Sequence, residues 1–530
     1  MMTNLENLMT RSRKPAESLS DHSTTPCRAD ALSLLAMLES LTAANPKLGE
    51  RFEDWRLQVD DLLAATVKDD LNTEKQLEAL AMDFRLHWIS LAHALIAGVM
   101  KSPPSNHIPL LPISLSSNFL YERVLRPTLE KRIEETVPDI PGWQTEITVF
   151  SSGMAAISAA ITVLRHKKDQ YRSDNTHTLQ LDMFGGYFET LALLDLLDSS
   201  DLNCRSFQDE PQLLDRFGSG KTDILFLELI AYDWKQTVVD PARFVQALEA
   251  RPSDRPWILI LDTTLIGPIF QLEPLLMACG EKKPLLVLEI RSGLKLEQVG
   301  LEFSNVGIVK TLSPEELDDN RYLSANQFHR ALAFSRGKMG TALSLSQVSI
   351  LDAPWVFHPE WTLKHTHSVM DNNRILAFAL SRIPGLFSRV NHPALGPRSD
   401  LIWAESPIVV MEFHEAEDTR ENHDFLLAVI THEVRQRKLV FQKGASFGFR
   451  HHRCEIIQPS SYDYPDGESR GFFKVAMGAR RGPSLNGVIL LLQELAAFAD
   501  FKALKLAYPG IKPEKELAGF PDLTAIRMIR

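Results

Sequence analysis

Three short stretches carry residue types that could do chemistry together. The apolar run KPLLVLEIRS (283–292) leads into Ser292-Gly-Leu-Lys295. An amine withdrawn from water loses basicity and can form a Schiff base with a carbonyl compound. An amine left in solvent does neither, and position alone fits both. The run PWILILDTT ends its apolar part at Asp262. A carboxylate there is costly unless paired; it either caps the next turn or faces a cation such as a protonated ring nitrogen. Upstream, FSSGMAAI (150–157) puts a Ser-Gly turn at the mouth of an apolar helix. Free N–H groups at such a start suit a phosphate, or simply an ordinary N-cap. Each stretch alone is weak. In this order along one chain they match what pyridoxal 5'-phosphate needs: a phosphate anchor, an acid for the pyridine nitrogen and an amine for the aldehyde.

The elements that must position these residues are legible from the pattern. THTLQLDMF, TDILFLELI, PWILILDTT, KPLLVLEIRS and NVGIVKTL are short continuous apolar runs separated by helical stretches. Such runs predict strands buried on both faces of a mainly parallel sheet, with ligands beyond the strands' carboxyl ends. After residue 370 the runs PIVVMEF, KLVFQKG, CEIIQP and FFKVAMG, with helices at 424–433 and 484–504, predict a smaller α+β domain. Before them, Leu34, Leu35, Leu38 and Leu41 have helical spacing. The expected division is a flexible lead and helical extension at 1–110, a large cofactor-binding domain at 111–370, a small domain at 371–505 and a tail at 506–530. The expected fold class is therefore α/β, mainly parallel, with a smaller α+β domain and an added N-terminal helical segment.

Composition excludes several classes. With 530 residues the chain is too long for one simple core, and 44% hydrophobic with 24% charged residues excludes global disorder. A net charge of −11 argues against nucleic acid as a partner. The 4 cysteines form no CxxC, so a disulfide framework or structural zinc is not expected. No run reaches the ~18 apolar residues of a membrane span, and the polar N-terminus has no apolar signal region, so the cytoplasm is the expected location and no membrane partner is expected. GSGKT (218–222) has Asp215 where a P-loop needs its first glycine and precedes a strand rather than following one. The pairs His451-His452 and His365-Thr-His367 lack companions at ligand spacing, and no metal is expected.

Over residues 115–500 these motifs resemble the Cys/Met-metabolism family of fold-type-I pyridoxal-phosphate enzymes, which includes cystathionine γ-synthase, cystathionine γ-lyase and methionine γ-lyase. The resemblance implies Gly153 and Met154 as phosphate anchors, Asp262 at the ring nitrogen, Ser292 on the phosphate and Lys295 as the lysine bound to the cofactor. It also implies that Tyr121 and Arg123, in YERVLRPT, reach the cofactor phosphate of a neighbouring subunit, hence a homodimer or a dimer of dimers (a homotetramer) with shared sites. GASFGF (444–449) implies Ser446 beside the substrate carboxylate.

The departures from the family are as telling. Phe184 stands where the family has a tyrosine, leaving a stacking ring without a phenol. Tyr232 stands in place of an asparagine and Leu294 in place of a threonine. Lys474 falls near the family's carboxylate-binding arginine, with Arg480 close by. The implied activity is γ-elimination from a small amino acid, with a specialised subtype that expels chloride from a γ-chloro-allylglycine to give propargylglycine. γ-Replacement and a catalytically silent scaffold are the alternatives.

Overall fold

The computed structural model describes residues 25–64, 68–97, 128–170, 178–316, 323–457 and 471–513. Its centre is a seven-stranded sheet in the order β1-β7-β6-β5-β4-β2-β3. The strands are β1 (Trp143–Phe150), β2 (Leu179–Phe184), β3 (Leu202–Phe207), β4 (Ile224–Glu228), β5 (Ile258–Asp262), β6 (Leu286–Ser292) and β7 (Gly307–Pro314). Pairs from β3 to β6 are parallel, while β7 runs antiparallel to both β6 and β1. The run NVGIVKTL is thus a strand as expected, but a reversed one.

Alternation explains why these strands read as continuous apolar runs. Ile258 and Ile260 pack with Ile157, Ala160 and Phe328 on one face. Leu259 and Leu261 pack with Leu213, Phe244 and Leu276 on the other. Helices cover both faces, so neither parity of residue meets water.

A second sheet, in the order β10-β11-β12-β9-β8, is formed by β8 (Phe387–Asn391), β9 (Val409–Phe413), β10 (Phe441–Lys443), β11 (His452–Ile457) and β12 (Phe472–Ala476). It packs against the helices Pro359–Leu380, Arg420–Arg437 and Pro483–Ala496. The helical span expected at 484–504 is two helices: the first ends at Ala496, and Asp500 caps a second one, Phe501–Ala507.

The N-terminal helices Pro26–Ala44, Glu53–Ala64 and Leu71–Ile96 form a layer against β1, β7 and residues 343–357. Apolar burial is fixed there by directional bonds. Trp88 Nε1 donates to Ile350 O at 2.8 Å and Trp55 Nε1 to Leu80 O at 2.8 Å. Among the described residues no helix is long and apolar enough to cross a membrane, and no group of three or more His, Cys, Asp or Glu could hold a metal ion.

Candidate active site

Parallel pairing puts Glu228, Asp262 and Ser292 at one edge of the sheet, each at the end of its strand. β1 ends at the same edge, because Phe150 and Ser292 both pair with Gly307. Any Cβ at 307 would collide with the Ser152 carbonyl, so glycine there lets the helix start close on β7. The helix Gly153–His166 begins with Ser152, whose hydroxyl and carbonyl cap the amides of Ala155 and Ala156. Among the described residues this leaves the Gly153 and Met154 amides as the helix's uncommitted donors. A Cβ on Gly153 would lie 3.3 Å from Ser292 Cβ, so that side chain stands directly beside the helix mouth.

These residues line a cavity of about 480 Å³ together with Tyr187, Glu189, Tyr232, Thr264, Arg291, Lys295, Ser446 and Phe447. Lys295 reaches it across the turn after β6, and its Nζ donates to Ser446 Oγ at 2.5 Å. Gly448 presses onto the Lys295 carbonyl with φ +81°, a conformation and an approach that only glycine permits. This contact seats residues 444–449 over the lysine. Burial, then the nearby charge of Lys474, lower the Lys295 ammonium to about 8. About a tenth of the amine is therefore free base at neutrality, and most of it above about pH 8.

Asp262 and Glu228 stand side by side on β5 and β4. Withdrawal from water raises the Asp262 carboxyl, opposed by a hydrogen bond from the Thr264 amide at 2.8 Å. Glu228 accepts three backbone N–H bonds, from Gly186 at 2.9 Å, Tyr187 at 3.0 Å and Tyr232 at 2.9 Å. Burial and the Asp262 charge nevertheless push Glu228 up to about 8. One carboxylate thus ties together the two turns that carry Tyr187 and Tyr232. Glu228→Ala would orphan three buried donors at about 1–3 kcal/mol each. An unfolding free energy from chemical denaturation lowered by at least about 3 kcal/mol is the expected result; a loss under about 1 kcal/mol would show that the turns hold themselves.

Seven of the expected residues meet in this cavity: Gly153, Met154, Tyr232, Asp262, Ser292, Lys295 and Ser446. Lys474 lies just behind its wall, 1% exposed, with its Nζ donating to Tyr232 Oη at 2.6 Å and to Ala445 O. Burial lowers it to about 8.

Two expected residues are elsewhere. Phe184 is 2% exposed and packs in the core on one face of the large sheet. Gly185 and Gly186 carry the chain over the Glu228 carboxyl, which leaves no room for a Cβ at 185, and the first ring presented beyond them is Tyr187. Arg480 is taken by acids of the N-terminal helices, at 2.7 Å from Glu78 and 3.3 Å from Asp30. Tyr121 and Arg123 lie outside the described residues.

Sequence reading missed Tyr187, Glu228 and Thr264. The doubled glycine before Tyr187 was the available signal. The Tyr187 and Tyr232 rings stand 5.5 Å apart, edge to face, and burial raises both phenols, so both stay protonated.

No protein-family model matches the chain, and no curated protein sequence matches it. Solved structures do. A methionine gamma lyase from Micromonospora echinospora matches 77% of this chain and 98% of its own, with a TM-score of 0.51 and 16% identity. MetB from Corynebacterium glutamicum matches 76% of this chain and 91% of its own, at 0.52 and 16%. A yeast cystathionine gamma-lyase matches 77% and 98%, at 0.51 and 14%. The chain shares their fold. It is the fold-type-I α/β architecture, with a large mostly parallel sheet and a smaller second one.

Proposed function

We propose that the chain is a pyridoxal-phosphate-dependent enzyme that removes a γ-substituent from a small amino acid. The observation that carries this reading is a lysine amine lowered to about 8 in one cavity with a helix start and a strand-end carboxylate. The residues present fit the cofactor. The Gly153 and Met154 amides and the Ser292 hydroxyl would hold its phosphate, Tyr187 offers a ring to stack on it, and Asp262 would keep a proton on its ring nitrogen. Two of the matching structures, a methionine gamma lyase and a cystathionine gamma-lyase, support the same class.

When bound, pyridoxal phosphate supplies an electron sink for carbanions. The chain's own groups do the rest. Ser446 accepts a hydrogen bond from Lys295 Nζ and so holds the amine in place. The amine, largely free base at mildly alkaline pH, takes the proton from the substrate Cα, releases it, and as a free base again takes one from Cβ. Tyr187 and Tyr232, both protonated, can give a proton to a departing γ-group. Lys474, behind the wall, acts on the substrate carboxylate only through the Tyr232 hydroxyl to which its Nζ donates, as a point charge without the fork of an arginine. A chloride leaving group needs no proton, and the dechlorinating elimination of γ-chloro-allylglycine is the specialised form of the proposal. The active unit is proposed to be a homodimer or a dimer of dimers.

Borohydride reduction of the protein with pyridoxal phosphate, followed by peptide mass spectrometry, tests the cofactor. A pyridoxyl group on Lys295 is expected; one elsewhere, or none, overturns the reading. Substrate follows from separate incubations with chlorinated allylglycine and O-acyl homoserine. Release of the γ-group without an added nucleophile is elimination. A requirement for an added thiol makes the enzyme a γ-replacement transferase. Silence toward both removes γ-chemistry. In the apo protein, adduct formation should accelerate about tenfold per pH unit until about pH 8 and then level off, because only the free amine attacks. Levelling near 10.5, the ordinary lysine value, would contradict the buried setting of Lys295.

A further inference from the structure

The N-terminal helices grip the two segments that flank Lys295. From the helix Pro26–Ala44, Asp30 pairs with Arg450 at 2.5 Å and with Arg480 at 3.3 Å. From the helix Leu71–Ile96, Glu78 pairs with Arg480 at 2.7 Å and with His451 at 3.4 Å, and the Glu74 carbonyl accepts from Arg480 at 2.8 Å. Arg450 and Arg480 are both nearly sealed from solvent, at 7% and 4% side-chain exposure. The same long helix sends Arg85 to the carbonyls of Leu301 and Glu302, at 2.7 and 2.8 Å.

The gripped segments are tied to one another and to the lysine. A Cβ at Gly300 would lie 2.6 Å from the Arg450 amide, so the 300–302 segment touches the loop directly. His365 bonds the Gly448 carbonyl at 2.8 Å, and Arg480 N–H donates to Arg450 O at 3.1 Å. Gly448 rests on the Lys295 carbonyl, and Ser446, four residues before Arg450, accepts the bond from Lys295 Nζ.

We propose that Asp30 and Glu78 are positioning residues: through Arg450 and Arg480 they clamp the loop 444–450 and so fix Ser446 against the Lys295 amine. The N-terminal helices are then a working part of the site rather than an appendage. Half-buried acids facing buried arginines suit the task, because an arginine stripped of its partner in such a place is costly and cannot drift to solvent without moving its loop. The clamp rests on Lys295 being the reacting amine, and its test uses no cofactor.

Two measurements on the apo full chain decide it. One is amide hydrogen exchange. The other is competitive acetylation of Lys295 across pH, read by mass spectrometry. The charged groups acting on Lys295 are Lys474 on β12, Arg453 on β11, Glu302 and Glu189, and none is altered by the variants. Asp30→Asn should raise exchange in residues 444–449 about tenfold while leaving β4 to β6 unchanged. It should also move the Lys295 half-acetylation pH upward by about one unit, as water enters. Glu78→Gln should do the same to a smaller extent, and serves if Asp30→Asn does not fold. In a Ser446→Ala background the added Asp30→Asn shift should shrink, since both act through one contact. Glu494→Gln, at an exposed ion pair with Arg437, should change neither readout.

Unchanged loop exchange, exchange raised equally in β4 to β6, an unmoved Lys295 titration, or a full shift surviving in the Ser446→Ala background overturns the clamp. Failure of borohydride trapping in the parent protein would instead overturn the cofactor reading, and leaves these readouts intact.

Discussion

Lys295→Ala should abolish the borohydride-trapped adduct and lower turnover by about 10⁴-fold, the upper end of what a positioned proton-transfer group contributes. Among the described residues, only Lys295 of the lysines lines the cavity. Lys474 is turned away into bonds with Tyr232 and Ala445, so it is a poor substitute. Methylamine added to the variant should restore part of the activity, by returning an amine where the side chain is missing. Retention of more than about a tenth of turnover would move the reacting amine elsewhere. The variant should also be the more stable apo protein near neutrality. Lys295 and Lys474 are held near 8 in the folded chain, against about 10.4 for a lysine in water. Between those values the unfolded chain binds more protons, so stability rises with pH across that window and is diminished below it. Lys295→Ala removes one of the two contributions and flattens the rise, which thermal unfolding at pH 7 and pH 10 measures.

The architecture was legible because strands buried on both faces are apolar at most positions rather than at alternate ones. ILILD and LVLEI announce themselves in that way, and their terminal residues Asp262 and Ser292 follow at the sheet edge. β7 was legible as a strand but not in direction, since an antiparallel strand inside a covered sheet carries the same apolar pattern as a parallel one. The ring at 184 was misplaced for a steric reason. Position along the sequence pointed to Phe184, but the Glu228 carboxyl lies beneath Gly185 and carries the turn on to Tyr187. Glu228 could not be found from sequence, because its partners are three main-chain amides, which every residue except proline has. Arg480 was read as a substrate ligand from its place near Lys474. Its true partners, Asp30 and Glu78, lie some 400 positions earlier, and no local pattern reports a contact of that separation.

Asp262→Asn should separate catalysis from stability, with opposite signs. A carboxylate beside the ring nitrogen favours a proton there; an amide of the same shape does not. Losing one fixed electrostatic partner in a water-excluded site costs about 10²–10³-fold in rate. Turnover should fall by that factor while the pyridoxyl adduct on Lys295 still forms, because the phosphate anchors and the amine are untouched. In the apo protein the same change should raise the melting temperature at neutral pH. The folded Asp262 carboxyl has a raised pKa, so the native state binds its proton more tightly than the unfolded chain. Such a group contributes stability at low pH and loses it as pH rises past its unfolded value of about 3.9. An uncharged asparagine does not carry that loss, so the stability gain should vanish when the comparison is repeated near pH 3. A variant that keeps parental turnover would free Asp262 of any role at a ring nitrogen. One that loses turnover and melts lower at pH 7 would assign the residue to the fold. Only the crossed result, a slower enzyme on a firmer scaffold, fits a carboxylate held in an unfavourable place for its chemistry.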